Sequence, residues 1–188
     1  MSPDTVERDS EDYLELLAEV FSEIVQKGAE NRYVGKTSDG EVTPALIQCL
    51  QYIYLHGPCS IRRIAEGLSV SVPASSQLVD RLAHRDMVSR HESEEDRRLT
   101  KVELTDTGRD VVRRARSERG EWFRQVCDRL PKDRRSALMD GLEEFILLAT
   151  TTGQDVEKAC VKCGIDHLAF CVLNRAHLAA DGKPMENY

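Results

Sequence analysis

The sequence predicts a mainly α-helical fold carrying one small β-hairpin, an α+β arrangement in which helices dominate. Three observations predict it. Apolar residues recur at three- and four-residue steps through successive segments, the mark of amphipathic helices. Aromatic residues make up only 5% of the 188 while 31% are charged, a balance that suits helices better than a sandwich or barrel. Alternation of the kind a strand needs is confined to a short stretch ending at Leu104. At 188 residues and 40% hydrophobic the chain is long enough for one cooperative core, or for one domain with a small appendage.

From about Glu11 to Lys27, Tyr13, Leu14, Leu17, Val20, Phe21 and Ile24 trace one helical face, and Gly28, Gly35 and Gly40 then signal a loop. Thr43 and Pro44 start a second helix, the hydroxyl capping orphan N–H groups and the proline tolerated at the first position. It stops at His56-Gly57-Pro58. Ser60 caps a short helix from Ile61 to Leu68, and the turn Ser69-Val70-Ser71 leads into another from about Val72 to His84. Two short helices joined by so tight a turn form a helix-turn-helix. Ile61, Ile64, Ala65, Leu68, Val79 and Leu82 fit their shared core, which is expected to leave Ser75, Ser76, Gln77 and Arg81 facing out, with Ser71 and Arg85 at the helix ends. Short hydroxyls, an amide and guanidinium groups suit groove edges and phosphates. Met87-Val88 and Leu99 to Leu104 read as the two strands of a hairpin with its tip at His91 to Arg98. Thr105 caps a long helix ending near Leu130 before Pro131, and a last long helix runs from about Lys132 to Thr151. Its stripe of Ala137, Leu138, Leu142, Phe145, Ile146 and Ala149 is wide enough for more than one partner, a second chain being the natural outlet.

The net charge is -7, yet Ser60 to Leu104 holds eight basic and eight acidic residues and is neutral. An acidic body with a less acidic head is compatible with DNA, whose affinity comes largely from counterion release by Lys and Arg. No stretch approaches the roughly 20 apolar residues of a membrane helix, and the acidic N-terminus lacks the features of a signal peptide. The expectation is a cytoplasmic protein. No Ser-His-Asp or paired-carboxylate constellation stands out, so an enzyme is not expected.

Leu68-Ser69-Val70-Ser71, Leu78-Val79-Asp80-Arg81-Leu82, Arg90, and the run from Glu95-Asp96-Arg97-Arg98-Leu99-Thr100 through Thr105-Asp106-Thr107-Gly108 resemble the signature of the MarR family of winged helix-turn-helix transcriptional regulators. The resemblance covers roughly Pro44 to Leu130. It implies long N- and C-terminal dimerisation helices, a homodimer, a pseudo-palindromic double-stranded DNA operator, and a small-molecule or oxidant effector, with repression as the expected sense. It also implies that the helix from Val72 to His84 lies in the major groove. On the wing it implies that Asp96 braces the hairpin while Arg98, with Arg97 beside it, enters the minor groove, where negative potential concentrates. One departure is Asp86, at a position where the family usually has glycine; Asp tolerates left-handed backbone better than most residues, so the same geometry is expected. The implied division is residues 1–42 for an N-terminal dimerisation helix and loop, 43–105 for the DNA-binding region, 106–152 for C-terminal dimerisation helices, and 153–188 for a cysteine-bearing tail.

That tail carries Cys160, Cys163 and Cys171, whereas Cys49, Cys59 and Cys127 are scattered through apparent helices as small core residues. Without an export signal a disulfide framework is not expected. Cys160-x-x-Cys163-Gly164 can present two thiolates to one cation, and if Asp166 onward is helical, His167 and Cys171 share a face. Cys160, Cys163, His167 and Cys171 then form a Cys3His set suited to zinc. A [4Fe-4S] cluster on the three cysteines, with His167, Cys127 or an exogenous group as fourth ligand, and free redox-active thiols are the alternatives. Two other classes remain open: a thiol-redox or iron-sulfur sensor, and a metal-stabilised protein-interaction module that never meets DNA.

Overall fold

The computed structural model describes residues 10–33, 42–92, 100–150, 152–153, 155–156, 159–160 and 170–183. In chain order the elements are α1 (Glu11–Tyr33), α2 (Pro44–His56), β1 (Cys59–Ser60), α3 (Ile61–Leu68), α4 (Val72–Ala83), β2 (Val88–Glu92), β3 (Thr100–Leu104), α5 (Asp106–Cys127), α6 (Lys132–Ala149) and α7 (Val172–Asp181). The mainly helical prediction with a small hairpin holds. The sheet has one strand more than expected, in the order β1-β3-β2 and antiparallel throughout. Two residues are too few to show alternation, and Cys59 and Ser60 become a strand only because Val102 and Lys101 lie opposite them.

The main core is built on α2, whose Leu46, Leu50 and Ile53 pack with Ile64 of α3, Val79 and Leu82 of α4, Val102 of β3 and Val112 of α5. Each of these is at most 2% exposed, so methylene-sized changes here carry the full cost of cavity or strain. Around this core, α1 runs on to Tyr33 rather than ending at Gly28. Gly28 is a packing site, not a loop signal: a Cβ there would lie 2.3 Å from Cζ2 of Trp122 on α5. The missing side chain lets the two helices meet. Thr43 does precede α2, but its hydroxyl makes no cap bond; its carbonyl accepts from the Ile47 N–H at 3.1 Å, and Pro44 at the first position removes one donor that would need capping.

Two surfaces of the single chain stay apolar. On α1, Leu14, Leu17, Val20 and Ile24 are all exposed. α6 has no buried residue at all, with Phe145 65% and Leu148 74% exposed. The opposite flank of α6 is partly covered: Ile146 and Leu147 pack against a second, smaller core of Val156, Cys160, Leu173 and Ala176, and Arg175 Nη1 of α7 meets Glu143 Oε2 at 2.8 Å. Among the described residues no helix is long and apolar enough to cross a membrane.

Candidate nucleic-acid interface

The helix-turn-helix is assembled by local caps. Ser60 Oγ accepts from the Arg63 N–H at the start of α3, and Ser71 Oγ accepts from the Ala74 N–H at the start of α4, each at 3.3 Å. Between them Ser69 adopts φ 56°, the left-handed value that ends α3 and reverses the chain. Gly67 makes the turn possible from the other side, because a Cβ there would run into the Tyr52 ring of α2.

The predicted outward row on α4 is partly corrected. Gln77 and Arg81 are exposed and lie one turn apart, and Ser76 is half-buried beside them. Ser75 is fully buried, and its hydroxyl donates to the Ile61 carbonyl at 3.1 Å. It fixes the crossing of α3 and α4 and presents nothing to a groove, because its side chain points into the interface between the two helices. Ser71 is exposed with its hydroxyl engaged as the cap. Arg85 is half-buried, with Nη1 enclosed and without a hydrogen-bond partner among the described residues, so it does not project as Arg81 does. The expected row also lacked Asp80, an acid on the same exposed side as Gln77 and Arg81. Its Oδ1 lies 2.5 Å from Arg90 Nη2 on β2, which neutralises it and ties α4 to the wing. Nothing in the sequence marks this pair beyond opposite charges ten positions apart on different elements.

The hairpin pairs Val88 with Leu104 through to Glu92 with Thr100, so its strands form as predicted. Asp96, Arg97 and Arg98 lie outside the described residues. The base of the wing is joined to α5 by three features. Thr105 Oγ1 accepts from the Gly108 N–H at 3.1 Å and donates to the Asp86 carbonyl at 2.6 Å. The Thr105 N–H donates to the Met87 carbonyl at 3.2 Å. Gly108 approaches so closely that a Cβ would sit 2.0 Å from that same carbonyl oxygen. Asp86 takes φ 54°, the left-handed geometry expected of it. Further out, Glu103 Oε2 lies 3.2 Å from His91 Nε2 on β2, and Oε1 lies 3.4 Å from Arg109 Nη2 on α5.

Of the three cysteines expected in the core, Cys49 and Cys59 are there and Cys127 is not. Cys49 and Cys59 are buried in the main core, and burial pushes their thiols up to about 12 and about 11; Cys127 is half-buried. In the tail, Cys160 is buried and Cys171 packs against the same small core. Cys163 and His167 lie outside the described residues. Cys171 has extended backbone and precedes α7 instead of lying within a helix, so the helical four-residue spacing expected for His167 and Cys171 is not met at Cys171. The helix starts one residue later, with the Cys171 carbonyl accepting from the Arg175 N–H. His177, the other histidine of the tail, has Nδ1 2.8 Å from the Lys183 carbonyl and Nε2 3.3 Å from Asp181 Oδ2. Among the described residues no group of three His, Cys, Asp or Glu side chains is placed to hold a metal.

The model of the MarR family matches residues 42–100, the stretch that contains α2, the helix-turn-helix and the first wing strand. Over that stretch the chain is similar to the MarR family. The HTH-type transcriptional repressor MdtR of Bacillus subtilis is 34% identical to this chain over 67 residues, 36% of the chain and 43% of MdtR, so the match spans less than half of that repressor. The crystal structure of RV1404 from Mycobacterium tuberculosis is 24% identical with a TM-score of 0.67, covering 77% of this chain and 97% of that one. Streptococcus pneumoniae FabT, solved in complex with DNA, is 18% identical with a TM-score of 0.60, covering 74% and 96%. These likenesses establish the winged helix-turn-helix fold, and about a quarter of this chain has no counterpart in either structure.

Proposed function

We propose that the chain is a transcriptional regulator that binds double-stranded operator DNA as a homodimer, in the repressing sense, and works in the cytoplasm rather than as an enzyme. One observation carries the reading: Gln77 and Arg81 stand exposed on a short helix whose neighbour is a hairpin welded to a long helix, so that one rigid head offers a groove-sized helix and a wing together. The bare apolar faces of α1 and α6 support a second copy as the partner. MdtR is a repressor and FabT was solved on DNA, which favours the same role here. Arg98 is the residue assigned to the minor groove, with Asp96 bracing and Arg97 beside it. A small-molecule effector tuning affinity belongs to the same reading.

Fluorescence anisotropy with duplex DNA from upstream of its own gene tests this. Binding below micromolar with a steep salt dependence is expected, and Arg98→Ala should weaken it by about 1–3 kcal/mol without unfolding the dimer. Unchanged affinity in that variant removes the role given to Arg98.

The tail supports a second, narrower part of the proposal: Cys160, Cys163, His167 and Cys171 hold one zinc ion that staples the tail. What favours it is that Cys160 and Cys171 reach the same small core from separate segments. Elemental analysis should find about one metal per chain, lost in a Cys160→Ser, Cys163→Ser variant. A brown anaerobic preparation means a [4Fe-4S] cluster instead, and neither metal means reactive thiols.

A further inference from the structure

We infer that Glu103 is a positioning residue for DNA binding, its carboxylate joining His91 on β2 to Arg109 in the first turn of α5 and so setting the angle at which the wing leaves the body. The inference rests on the DNA-binding reading above and adds a residue to it. The register puts Ser89, His91, Lys101 and Glu103 on one face of the ladder and Val88, Arg90, Val102 and Leu104 on the other. Val88, Val102 and Leu104 are buried, so Glu103 and His91 share the outer face. There the carboxylate contacts His91 diagonally across the strands at 3.2 Å and Arg109 at 3.4 Å.

The hairpin is already pinned to α5 at Thr105 and Gly108. Elsewhere it is held by β1 and by the Arg90–Asp80 pair, and the Glu103 link adds the attachment of the outer face to α5, two residues further along β3, that sets its tilt. The distance from Glu103 to Thr100 is about 10 Å at strand rise, so a tilt of about 10° moves the far end by about 2 Å. That displacement is large against the tolerance of a hydrogen bond.

The link has two arms, one from each carboxylate oxygen, so removing the charge of Glu103 loosens both at once while removing the His91 ring loosens one. Among the described residues, the charged groups around His91 are Lys101 directly across, Glu103 on the diagonal and Arg109 behind it. Arg90 and Glu92 alternate to the other face, Arg90 being engaged with Asp80. On α5, Asp110 is engaged with Arg113 and Asp106 is exposed in the first turn, while β1 brings only Ser60 up against Lys101.

The test compares wild type, Glu103→Gln and His91→Asn at one pH. Amide exchange of residues 88–92 and 100–104 in the free protein, corrected for intrinsic rates, should show about threefold greater protection in wild type than in Glu103→Gln, with His91→Asn between them. Affinity for a duplex selected from a random-sequence library should fall by about threefold in Glu103→Gln and by less in His91→Asn. Overall melting should be unaltered. Glu103→Gln matching wild type in both measurements overturns the inference, as does an exchange difference that leaves affinity identical. Wild type that binds no duplex, with the exchange difference intact, instead overturns the DNA-binding reading on which the word positioning rests.

Discussion

Two glycines on α5 make opposite predictions for the same substitution. In a bare helix, Gly→Ala stabilises by about 0.5–1 kcal/mol because alanine has less backbone freedom to lose. Gly120 is in that situation, its nearest neighbour being the flexible end of Arg124 at 4.0 Å. Gly108 is not: a Cβ there meets Met87 O at 2.0 Å, Met87 C at 3.0 Å and Leu104 Cδ2 at 3.2 Å. Clearing the carbonyl requires a shift of more than about 1 Å, and that oxygen already accepts from Thr105 N–H. Overpacking of this kind costs about 1–3 kcal/mol, and stretching the Thr105 bond adds about 1 kcal/mol. After subtracting the helix gain, Gly108→Ala should destabilise by about 1–3 kcal/mol, a fall in Tm of roughly 3–10 °C for a chain of this length. Gly120→Ala should raise Tm by roughly 1–4 °C. Urea unfolding followed by circular dichroism, at fixed protein concentration because dimerisation contributes by mass action, separates the two. Equal stability of Gly108→Ala and wild type would mean that α5 slides past the wing freely, and the weld described above would not exist.

Ser75→Ala should cost about 1 kcal/mol of stability through the lost bond to the Ile61 carbonyl and leave sequence preference untouched in a selection experiment. Gln77→Ala and Arg81→Ala should do the reverse, leaving stability within about 0.5 kcal/mol and weakening operator binding by about 1–3 kcal/mol. Cys49 and Cys59, held protonated up to about 12 and about 11, should resist iodoacetamide in the native protein while Cys127 reacts. Their shift also gives stability a sign: an unfolded thiol titrates near 9.0, so above that pH the folded state retains protons that the unfolded state releases. The urea midpoint should therefore fall as pH rises beyond about 9, and a midpoint flat to the onset of alkaline unfolding would count against their burial. Phe145→Asp, on a side chain 65% exposed in one chain, should convert the dimer to monomer in sedimentation velocity with helix content retained.

The parts of this fold that were legible are those decided within a few residues. Ser60, Ser71 and Thr105 each cap the N–H three positions on, and a hydroxyl just ahead of an apolar period is a local signal. Asp86 adopts its left-handed angle because the turn after α4 demands one. What was not legible depends on a distant neighbour. Ser75 and Ser76 are adjacent hydroxyls, and only the position of the Ile61 carbonyl makes the first an interior donor. Gly28 reads as a break until Trp122 is seen against it. Asp80 and Arg90 form a pair that exists only after α4 and β2 have been brought together. For the candidate site Gln77 and Arg81 of the exposed row of α4 could be read, whereas Ser75 was misplaced and Asp80 missed. The wing-tip assignments to Asp96, Arg97 and Arg98 rest on resemblance.

The amphipathic pattern of α6 is resolved by geometry into two needs. At about 100° per residue, Phe145 and Leu148 fall on one side of the helix, while Glu143, Ile146 and Leu147 fall on nearly the opposite one. The second group is engaged within the chain, by the ion pair to Arg175 and by the small core that holds Cys160 and Cys171. The first group has no cover among the described residues, and α1 shows the same condition at Leu14 and Ile24. An apolar stripe that a chain leaves open after satisfying the other flank of the same helix is a stripe kept for another chain. The described part of the tail takes the flank of α6 opposite Phe145 and Leu148, so under the proposed reading a change at its thiols would act on α6 from behind, away from the stripe proposed for a second copy.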